Sequence, residues 1–182
     1  MLNLRRLIIT GEFLLLSVVC TGCFSTAPAD EQQADAMRVR EPEPCITPED
    51  AERMADQVLQ LVNLERAERN LQPVVVSEKL TKIAEDYACR MIDAKFFGHR
   101  SPLTGHGPAK RAVAGKYTFY AVGENLAAGP ESSAEVMKLW MDSPPHRDII
   151  LDPTWKEVGI AVRAGGEYST YWVQEFGDPA GL

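Results

Sequence analysis

Apolar residues recur at helical spacing in two stretches of this chain. The first stretch repeats at Met54, Val58, Leu61 and Val62. It is preceded by Thr47 and Pro48; threonine is a good helix N-cap and proline is tolerated at the first helical position. The pattern predicts a helix that starts at Thr47 and ends near Asn70, because asparagine tolerates the left-handed backbone conformation at helix ends.

A second helical pattern follows the β-branched run Val74-Val75-Val76. Ser77 can cap this helix, and its apolar positions are Leu80, Ile83, Ala84, Tyr87 and Met91. Glycine and proline in residues 96–102 then predict a loop, and residues 108–114 can form a short helix.

The second half of the chain mixes strand and helix patterns. Residues 117–121 resemble a strand that runs into residues 123–127, and Ser132 or Ser133 begins a further helix. We expect this helix to end at Pro144-Pro145 and to bury one face, formed by Val136, Leu139 and Trp140. Val158, Ile160 and Val162 alternate with small residues, Gly165-Gly166 turns the chain, and residues 168–176 alternate again, which predicts a β-hairpin.

This order of elements points to an α+β fold. The connections between the predicted strands are too short for a doubly wound parallel sheet, which needs a long crossover between its strands. A small, mostly antiparallel sheet covered by helices therefore fits better. Three helices with apolar stripes are too many for one face of such a sheet, so we expect helices on both faces.

The N-terminus has the layout of an export signal. Arg5 and Arg6 precede the apolar run Leu14 to Val19, which ends in small residues and is short for a membrane span. The sequence Cys20-Thr21-Gly22-Cys23 resembles a bacterial lipobox. We therefore expect residues 1–22 to be a lipoprotein-type signal peptide and Cys23 to be lipidated, which would anchor an exported protein in the cell envelope, at the periplasmic side or the cell surface. Plain secretion is the alternative.

Composition changes sharply after this segment. Residues 23–45 are rich in alanine, proline and charge without apolar periodicity, as in a flexible tether, and residues 46–182 form the domain. Removal of residues 1–22 takes away Arg5, Arg6 and Glu12 and leaves 17 basic against 25 acidic residues, a net charge of −8. This balance argues against a nucleic-acid partner, which requires a basic face.

Two cysteines remain once the signal and the lipidation site are set aside. In an oxidising compartment, Cys45 and Cys89 are candidates for a disulfide bond. The loop between them is long enough for chain entropy to contribute about 4 kcal/mol of stability. Two free buried thiols are the alternative.

Four short motifs together resemble the CAP superfamily, also called the SCP or PR-1-like family, in its bacterial secreted and lipoprotein branch. They are Phe97-Gly98-His99-Arg100-Ser101-Pro102, Gly123-Glu124-Asn125-Leu126-Ala127, Leu139-Trp140-Met141-Asp142-Ser143 with His146, and Glu157-Val158-Gly159-Ile160. The resemblance extends over residues 46–177. It implies a three-layer α-β-α sandwich, which agrees with the elements predicted above.

The resemblance also implies a central cleft lined by His99, Glu124, Asp142 and His146. Some members of the family hold a divalent metal there through the two histidines, so His99 and His146 are the candidate ligands for an ion such as zinc. Asp142 departs from the better-known eukaryotic members, which have glutamate at this position. The shorter aspartate side chain would have to approach the cleft more closely to act there.

Two classes of function follow from these residues. In the first, the cleft binds a small ligand, such as a lipid, a peptide or a wall fragment, with or without a metal. In the second, His99 and His146 hold zinc in a hydrolase, Glu124 acts as the base and Asp142 orients a histidine. We favour binding because the sequence offers no third clear ligand, no HExxH motif and no activated nucleophile. Each of the four side chains also has a purely structural alternative, in ordering a loop, turn or helix end.

Overall fold

The computed structural model describes residues 44–181. The predicted signal peptide, the lipidation site Cys23 and the tether up to residue 43 lie outside this range. The described elements are, in chain order, α1 (Ala51–Ala67), β1 (Val75–Val76), α2 (Glu78–Asp93), α3 (Pro108–Ala114), β2 (Phe119–Ala128), α4 (Ser133–Asp142), α5 (Pro144–Ile150), β3 (Glu157–Ala164) and β4 (Thr170–Pro179).

One four-stranded sheet, in the order β1-β3-β4-β2, forms the middle layer. The strands β2, β3 and β4 pair antiparallel, and only the short β1 pairs parallel, with β3. The predicted hairpin is confirmed as β3 and β4. The α+β class and the mostly antiparallel sheet are confirmed as well.

Helices cover both faces of this sheet, so the protein is the three-layer sandwich that was expected. Alternate residues of β3 and β4, including Val162 and Trp172, pack with α1, α4 and α5 in one core. The intervening residues, including Ala161 and Val173, face α2 in the other core. The period of two along each strand thus divides the apolar side chains between two helical layers.

Gly159 allows α2 to lie directly on the sheet. A Cβ atom at this position would come within 2.1 Å of the backbone carbon of Leu80 and the backbone nitrogen of Thr81. Only a residue without a side chain permits this approach between helix and strand. The glycine of the fourth motif is therefore required by packing.

The helix ends correct one prediction and extend another. The first helix begins at Ala51 with Asp50 at its N-cap, so the predicted start at Thr47 was wrong, although Asn70 beyond its end does take a left-handed conformation with φ of 57°. Pro144-Pro145 ends α4 as predicted, but both prolines also occupy the first turn of α5, where a missing N–H costs no helical bond. Proline therefore separates two helices here.

The buried face of α4 also differs from the prediction. Val136, Met137 and Trp140 are buried, whereas Leu139 is exposed, because the helix presents its 136, 137 and 140 positions to the core. Ser132 is its N-cap and forms a capping box with Glu135.

Two features tie peripheral segments to the core. Cys45 and Cys89 form a disulfide, which fastens the chain before α1 to α2. The fully buried Arg66 of α1 donates to backbone carbonyls in the segment between α5 and β3. Within residues 44–181, none of the helices has the length and apolar character that a membrane crossing requires.

Candidate functional site

His99 lies in the loop between α2 and α3, on the exposed side of a buried carboxylate. Its Nδ1 is 2.8 Å from Oε1 of Glu124, whose side chain is only 1% exposed, whereas the His99 side chain is 55% exposed. The loop itself is held at its backbone, because Tyr87 donates its hydroxyl to the carbonyl of Gly98 and Arg111 donates Nη1 to the carbonyl of His99 at 3.0 Å. His99 is thus held at its backbone and at Nδ1 of its ring.

Glu124 shares its surroundings with a second acid, Glu175. The two residues are direct partners in the β2–β4 pairing, so their side chains leave the same face of the sheet. Arg111 of α3 donates Nη2 to Oε2 of Glu124 and, at 3.2 Å, to Oε1 of Glu175. The aromatic ring of Tyr87 covers the guanidinium, whose Cζ lies 3.3 Å from the ring centroid.

This buried cluster contains one fixed positive charge and two acids. Burial raises the pKa of Glu124 to about 7, although the charge of Arg111 acts in the opposite direction. Burial and the neighbouring Glu124 raise the pKa of Glu175 well above its ordinary value. A single guanidinium cannot compensate two buried carboxylates, so the two acids together retain a proton near neutral pH.

His146 approaches from the opposite layer of the sandwich. It lies in the first turn of α5, with Nδ1 2.9 Å from the hydroxyl of Ser143, the N-cap residue. Asn125 of β2 donates Nδ2 to the backbone carbonyl of His146 at 3.1 Å and to Oε1 of Gln174, also at 3.1 Å. The neighbouring side chains of Glu124 and Asn125 thus reach His99 on one face of the sheet and the His146 backbone on the other.

Both imidazoles favour the neutral form. Burial lowers the pKa of His99, with a further lowering by Arg111. Burial also lowers the pKa of His146, and the charge of His99 adds to this effect. Neutral imidazole is the form that ligates metal ions.

The side chain of Asp142 points away from His99, Glu124 and His146. Its carboxylate pairs with Lys138 one turn earlier on α4, and the side chain is 67% exposed. No hydrogen bond or ion pair joins Asp142 to His99, Glu124 or His146 in the described structure. The structure therefore brings His99 and Glu124 into contact, joins the backbone of His146 to the adjacent Asn125, and places the fourth candidate on the outer surface.

In both histidines one ring nitrogen has a partner and the other is available to a ligand. Each Nδ1 has a partner that orients its ring, Glu124 for His99 and Ser143 for His146, which leaves Nε2 of both rings for a ligand. No group of three or more histidine, cysteine, aspartate or glutamate side chains within residues 44–181 has an arrangement suited to a metal ion. Any further ligands would come from water or a bound molecule.

Three residues of this site were missed by the sequence analysis. Arg111, Glu175 and Tyr87 belong to none of the four motifs, and their side chains meet only through the folding of α2, α3 and β4. One signal was available in the sequence, because Glu175 interrupts the otherwise uncharged run from Thr170 to Gly177. A charge within a buried strand suggests a buried partner.

Known proteins resemble this chain in both sequence and fold. A family model described as the cysteine-rich secretory protein family, CAP, matches residues 59–176. The uncharacterized protein YkwD of Bacillus subtilis is 34% identical over 119 residues, which are 65% of this chain and 45% of that protein. The chain thus spans less than half the length of this relative.

Two solved structures share the fold. An extracellular protein containing a SCP domain from Bacillus anthracis superposes with a TM-score of 0.63 at 26% identity, over 70% of this chain and 41% of that one. An outer surface protein of Borrelia burgdorferi gives a TM-score of 0.66 at 23% identity, over 72% of this chain and 96% of that one.

Proposed function

This chain belongs to the cysteine-rich secretory protein family, or CAP family, and from that premise we propose that it is an exported envelope protein whose cleft binds a small ligand. The cleft is formed by His99 and His146 with the supporting Glu124. The ligand would be a lipid, a peptide or a cell-wall fragment, held with or without a divalent metal ion.

One observation carries this proposal: an accessible imidazole rests on a buried, hydrogen-bonded carboxylate. Glu124 is fixed by Arg111 and in turn fixes His99, so the ring has a defined orientation before any ligand arrives. A preorganised polar group at the surface of a cleft provides orientation and specificity for a ligand.

A metal ion would be held by Nε2 of His99 and Nε2 of His146. When bound, such an ion supplies a Lewis acid that attracts a carbonyl or carboxylate oxygen of the ligand. The chain's own contribution is the orientation of both rings and their neutral state, to which burial contributes by lowering the pKa of each.

The geometry favours binding over the alternative of a zinc-dependent hydrolase. A general base must reach the proton that it removes. Both oxygens of Glu124 already have partners, His99 and Arg111, and its side chain is almost completely buried. Glu124 therefore suits the orientation of His99 better than the activation of a water molecule.

The location of the protein is part of the proposal. A disulfide between Cys45 and Cys89 suits an oxidising compartment, and solved relatives are described as extracellular or as outer surface proteins. We propose export with a lipid anchor at Cys23. Metabolic labelling with a palmitate analogue should mark the full chain and not Cys23→Ser; equal labelling of both would contradict the anchor.

Metal binding is tested by zinc titration calorimetry on the full chain. The wild type should bind one zinc ion. The His99→Ala/His146→Ala variant should lose more than the about tenfold in affinity that removal of an outer-shell partner costs, and His106→Ala is the matched control for a loop histidine. Equal heats for the wild type and the double variant would remove the metal from the proposal.

Ligand binding is tested by native mass spectrometry of the protein purified from its own envelope. The wild type should carry a bound molecule that the double histidine variant lacks. If both carry the same molecule at the same occupancy, the histidine cleft is not the binding site. If neither carries one and extracts of lipid, peptide and wall fragments add none, the proposed function is wrong.

A further inference from the structure

The positive charges of this protein are concentrated in one stretch, although the chain as a whole carries a net charge of −7. From the end of α2 to the residues after α3, residues 90–116 contain Asp93 as their only acid. A local excess of basic residues in an acidic protein creates a positive potential over part of its surface. The basic residues of this stretch are Arg90, Lys95, Arg100, Lys110, Arg111 and Lys116.

The exposed basic residues of this stretch differ from most others in having no acidic partner. The residues elsewhere that pair with a carboxylate at the surface are Arg53, Arg69, Lys82, Lys138 and Lys156. Within the stretch, only the buried Arg111 has a carboxylate partner among residues 44–181. The exposed residues of the stretch, none of which pairs with a carboxylate in this range, are Arg90, Lys95, Arg100, Lys110 and Lys116.

A cavity of about 170 Å³ lies between α2 and α3, inside this basic stretch. Arg90 of α2 and His106 line it, together with Ala114 and Gly115 at the end of α3. A cavity of about 150 Å³ is enough for a molecule the size of benzene. The space between the helices therefore admits a small ligand or one group of a larger ligand.

Further positive charges lie beside this cavity. Lys110 lies one helical turn before the part of α3 that lines the cavity, and Lys116 follows directly after that part. Arg100 donates Nη1 to the carbonyl of Gly105, the neighbour of His106, at 2.6 Å. We define the basic surface as the exposed residues around the cavity and the half-buried imidazole in its wall, namely Arg90, Arg100, Lys110, Lys116 and His106.

The cavity adjoins the residues that support His99. Arg111 lines the cavity and donates Nη1 to the backbone carbonyls of His99 and His106, at 3.0 and 3.3 Å. Tyr87, whose ring covers this guanidinium, lines the same cavity. Two carbonyls that share one donor nitrogen are neighbours. One short loop thus carries the cleft histidine and part of the cavity wall.

The acids near the basic surface are already occupied. Asp86 lines the cavity, but its carboxylate pairs with Lys82 at 2.8 Å. Glu124 and Glu175 both accept from Nη2 of Arg111, and both are buried. The exposed positive charges around the cavity are therefore not neutralised by these three carboxyl groups.

We propose that the ligand of the His99 cleft is an anion, and that a phosphate or carboxylate group of this ligand binds to the basic surface. This inference rests on the proposed function and narrows its class of ligand. Phosphate and carboxylate oxygens accept charge-assisted hydrogen bonds from guanidinium and ammonium groups. A neutral ligand offers these charges no partner. A concave site also suits a group of a bound molecule better than the flat headgroup surface of a membrane.

The test uses nuclear magnetic resonance of the ¹⁵N-labelled full chain in metal-free buffer. The probes are pyrophosphate and succinate, which supply the two kinds of anionic group, and succinamide, the neutral match of succinate. At least one anion should shift the amide resonances of Arg90, His106 and Lys116 and saturate, whereas succinamide should not. Added sodium chloride should weaken the binding, since salt screens charges at a surface.

Two variants on the same helix provide the matched comparison. Arg90→Gln should weaken binding of the anion at least about tenfold, the loss expected for a hydrogen bond to a charged group. Lys79→Gln removes another exposed charge of α2 that has no carboxylate partner among residues 44–181, and it should change the affinity less than about twofold. Should Arg90→Gln unfold the chain, Lys110→Gln/Lys116→Gln replaces it, with an expected loss of about fivefold or more.

Several results would overturn the inference. They are saturation by neither anion, equal binding of succinate and succinamide without binding of pyrophosphate, and shifts that leave Arg90 and His106 unchanged. An equal loss of affinity in Arg90→Gln and Lys79→Gln would also contradict it. If neither anion binds and phosphatidylglycerol vesicles retain the wild type more strongly than Arg90→Gln, the basic surface contacts the membrane instead.

Native mass spectrometry separates this inference from the proposed function. The molecule that the wild type carries should contain a phosphate or carboxylate group and should be lost from Arg90→Gln as well as from the double histidine variant. A molecule lost from the double histidine variant but retained by Arg90→Gln would support the proposed function and contradict the basic surface. A molecule retained by both variants would contradict both proposals.

Discussion

Glu124 and Glu175 are direct partners across β2 and β4, and Arg111 donates to both of their carboxyl groups. The alternation of the pairing makes this a pair without mutual backbone hydrogen bonds, in which side chains come closest. Two acids that share one cation in a buried site cannot both be charged without cost. The cluster that orients His99 therefore also shares a proton between its two acids.

This cluster predicts that stability falls as pH rises above about 4.5. The pKa of Glu124 is raised to about 7 and that of Glu175 is raised as well, so the folded state binds more protons than the unfolded state in this range. An acid with a raised folded-state pKa loses its stabilising contribution as pH increases, by up to about 1.4 kcal/mol per pH unit for each proton. Urea unfolding between pH 5 and pH 8 measures the slope.

The variant Glu175→Gln isolates this effect, because an amide mimics the protonated acid and does not titrate. The lowered pKa values of His99 and His146 act in the opposite direction, destabilising the fold as pH falls below about 6.5. The His146 contribution cancels in the comparison of variant and wild type, whereas the variant lowers the pKa of His99 further, because it removes the charge of Glu175 that raises it. The variant should gain stability relative to the wild type as pH rises. If the free energies of unfolding of the variant and the wild type change with pH in parallel, the two acids do not share a proton.

Replacement of the shared cation should be costly. Arg111→Met leaves two buried carboxyl groups without a positive partner, and we expect a loss of about 3–5 kcal/mol in the free energy of unfolding at neutral pH. The loss should shrink at pH 5, where the acids are protonated. Lys110→Met is the matched control on the exposed face of α3 and should change stability by no more than about 0.5 kcal/mol.

The sequence predicted the layers of this fold better than it predicted the site. Apolar periodicity determines which face of each element is buried, so α2, α4 and the hairpin could be recognised from local pattern. The Arg111–Glu175 contact joins residues 64 positions apart, and no local pattern encodes it. The resemblance supplied His99, Glu124 and His146 as candidates, but it could not show that Asp142 points toward Lys138, because rotation of the α4 end decides that.

Asp142 is predicted to be dispensable for the cleft. Its pairing with Lys138 is exposed to solvent, so Asp142→Asn should cost no more than about 1 kcal/mol of stability. Zinc affinity should equal that of the wild type in the calorimetric titration. A loss of about tenfold in zinc affinity in this variant would mean that the carboxylate turns into the cleft.

The disulfide should contribute substantially to stability. Cys45 and Cys89 are 44 positions apart, and closing a loop of this length stabilises the fold by about 4 kcal/mol in the chain-entropy description. Reduction should therefore lower the urea midpoint of the wild type. The Cys45→Ser/Cys89→Ser variant should start at this lower midpoint and show no response to the reductant; an equal midpoint for all forms would contradict the contribution.

Arg66 should be as important to the fold as the disulfide, although no motif includes it. Its buried guanidinium donates to the carbonyls of Gln72, Ile150, Asp152 and Trp155 at 2.9, 2.7, 2.9 and 3.4 Å. Burial lowers its pKa, and the nearby Asp152 acts in the opposite direction. Arg66→Met would leave several buried acceptors without donors, at a cost of about 3 kcal/mol or more.

Two measurements distinguish this role from a general loss of charge. Arg69→Met removes an exposed arginine of the same segment, which pairs at the surface with Glu65 and Glu68 and donates to the carbonyl of Glu65, and it should cost less than about 1 kcal/mol. Hydrogen exchange of Arg66→Met should show loss of protection concentrated in residues 150–155, because Arg66 fastens that segment to α1. Uniform loss across the sheet would instead indicate that Arg66 supports the whole core.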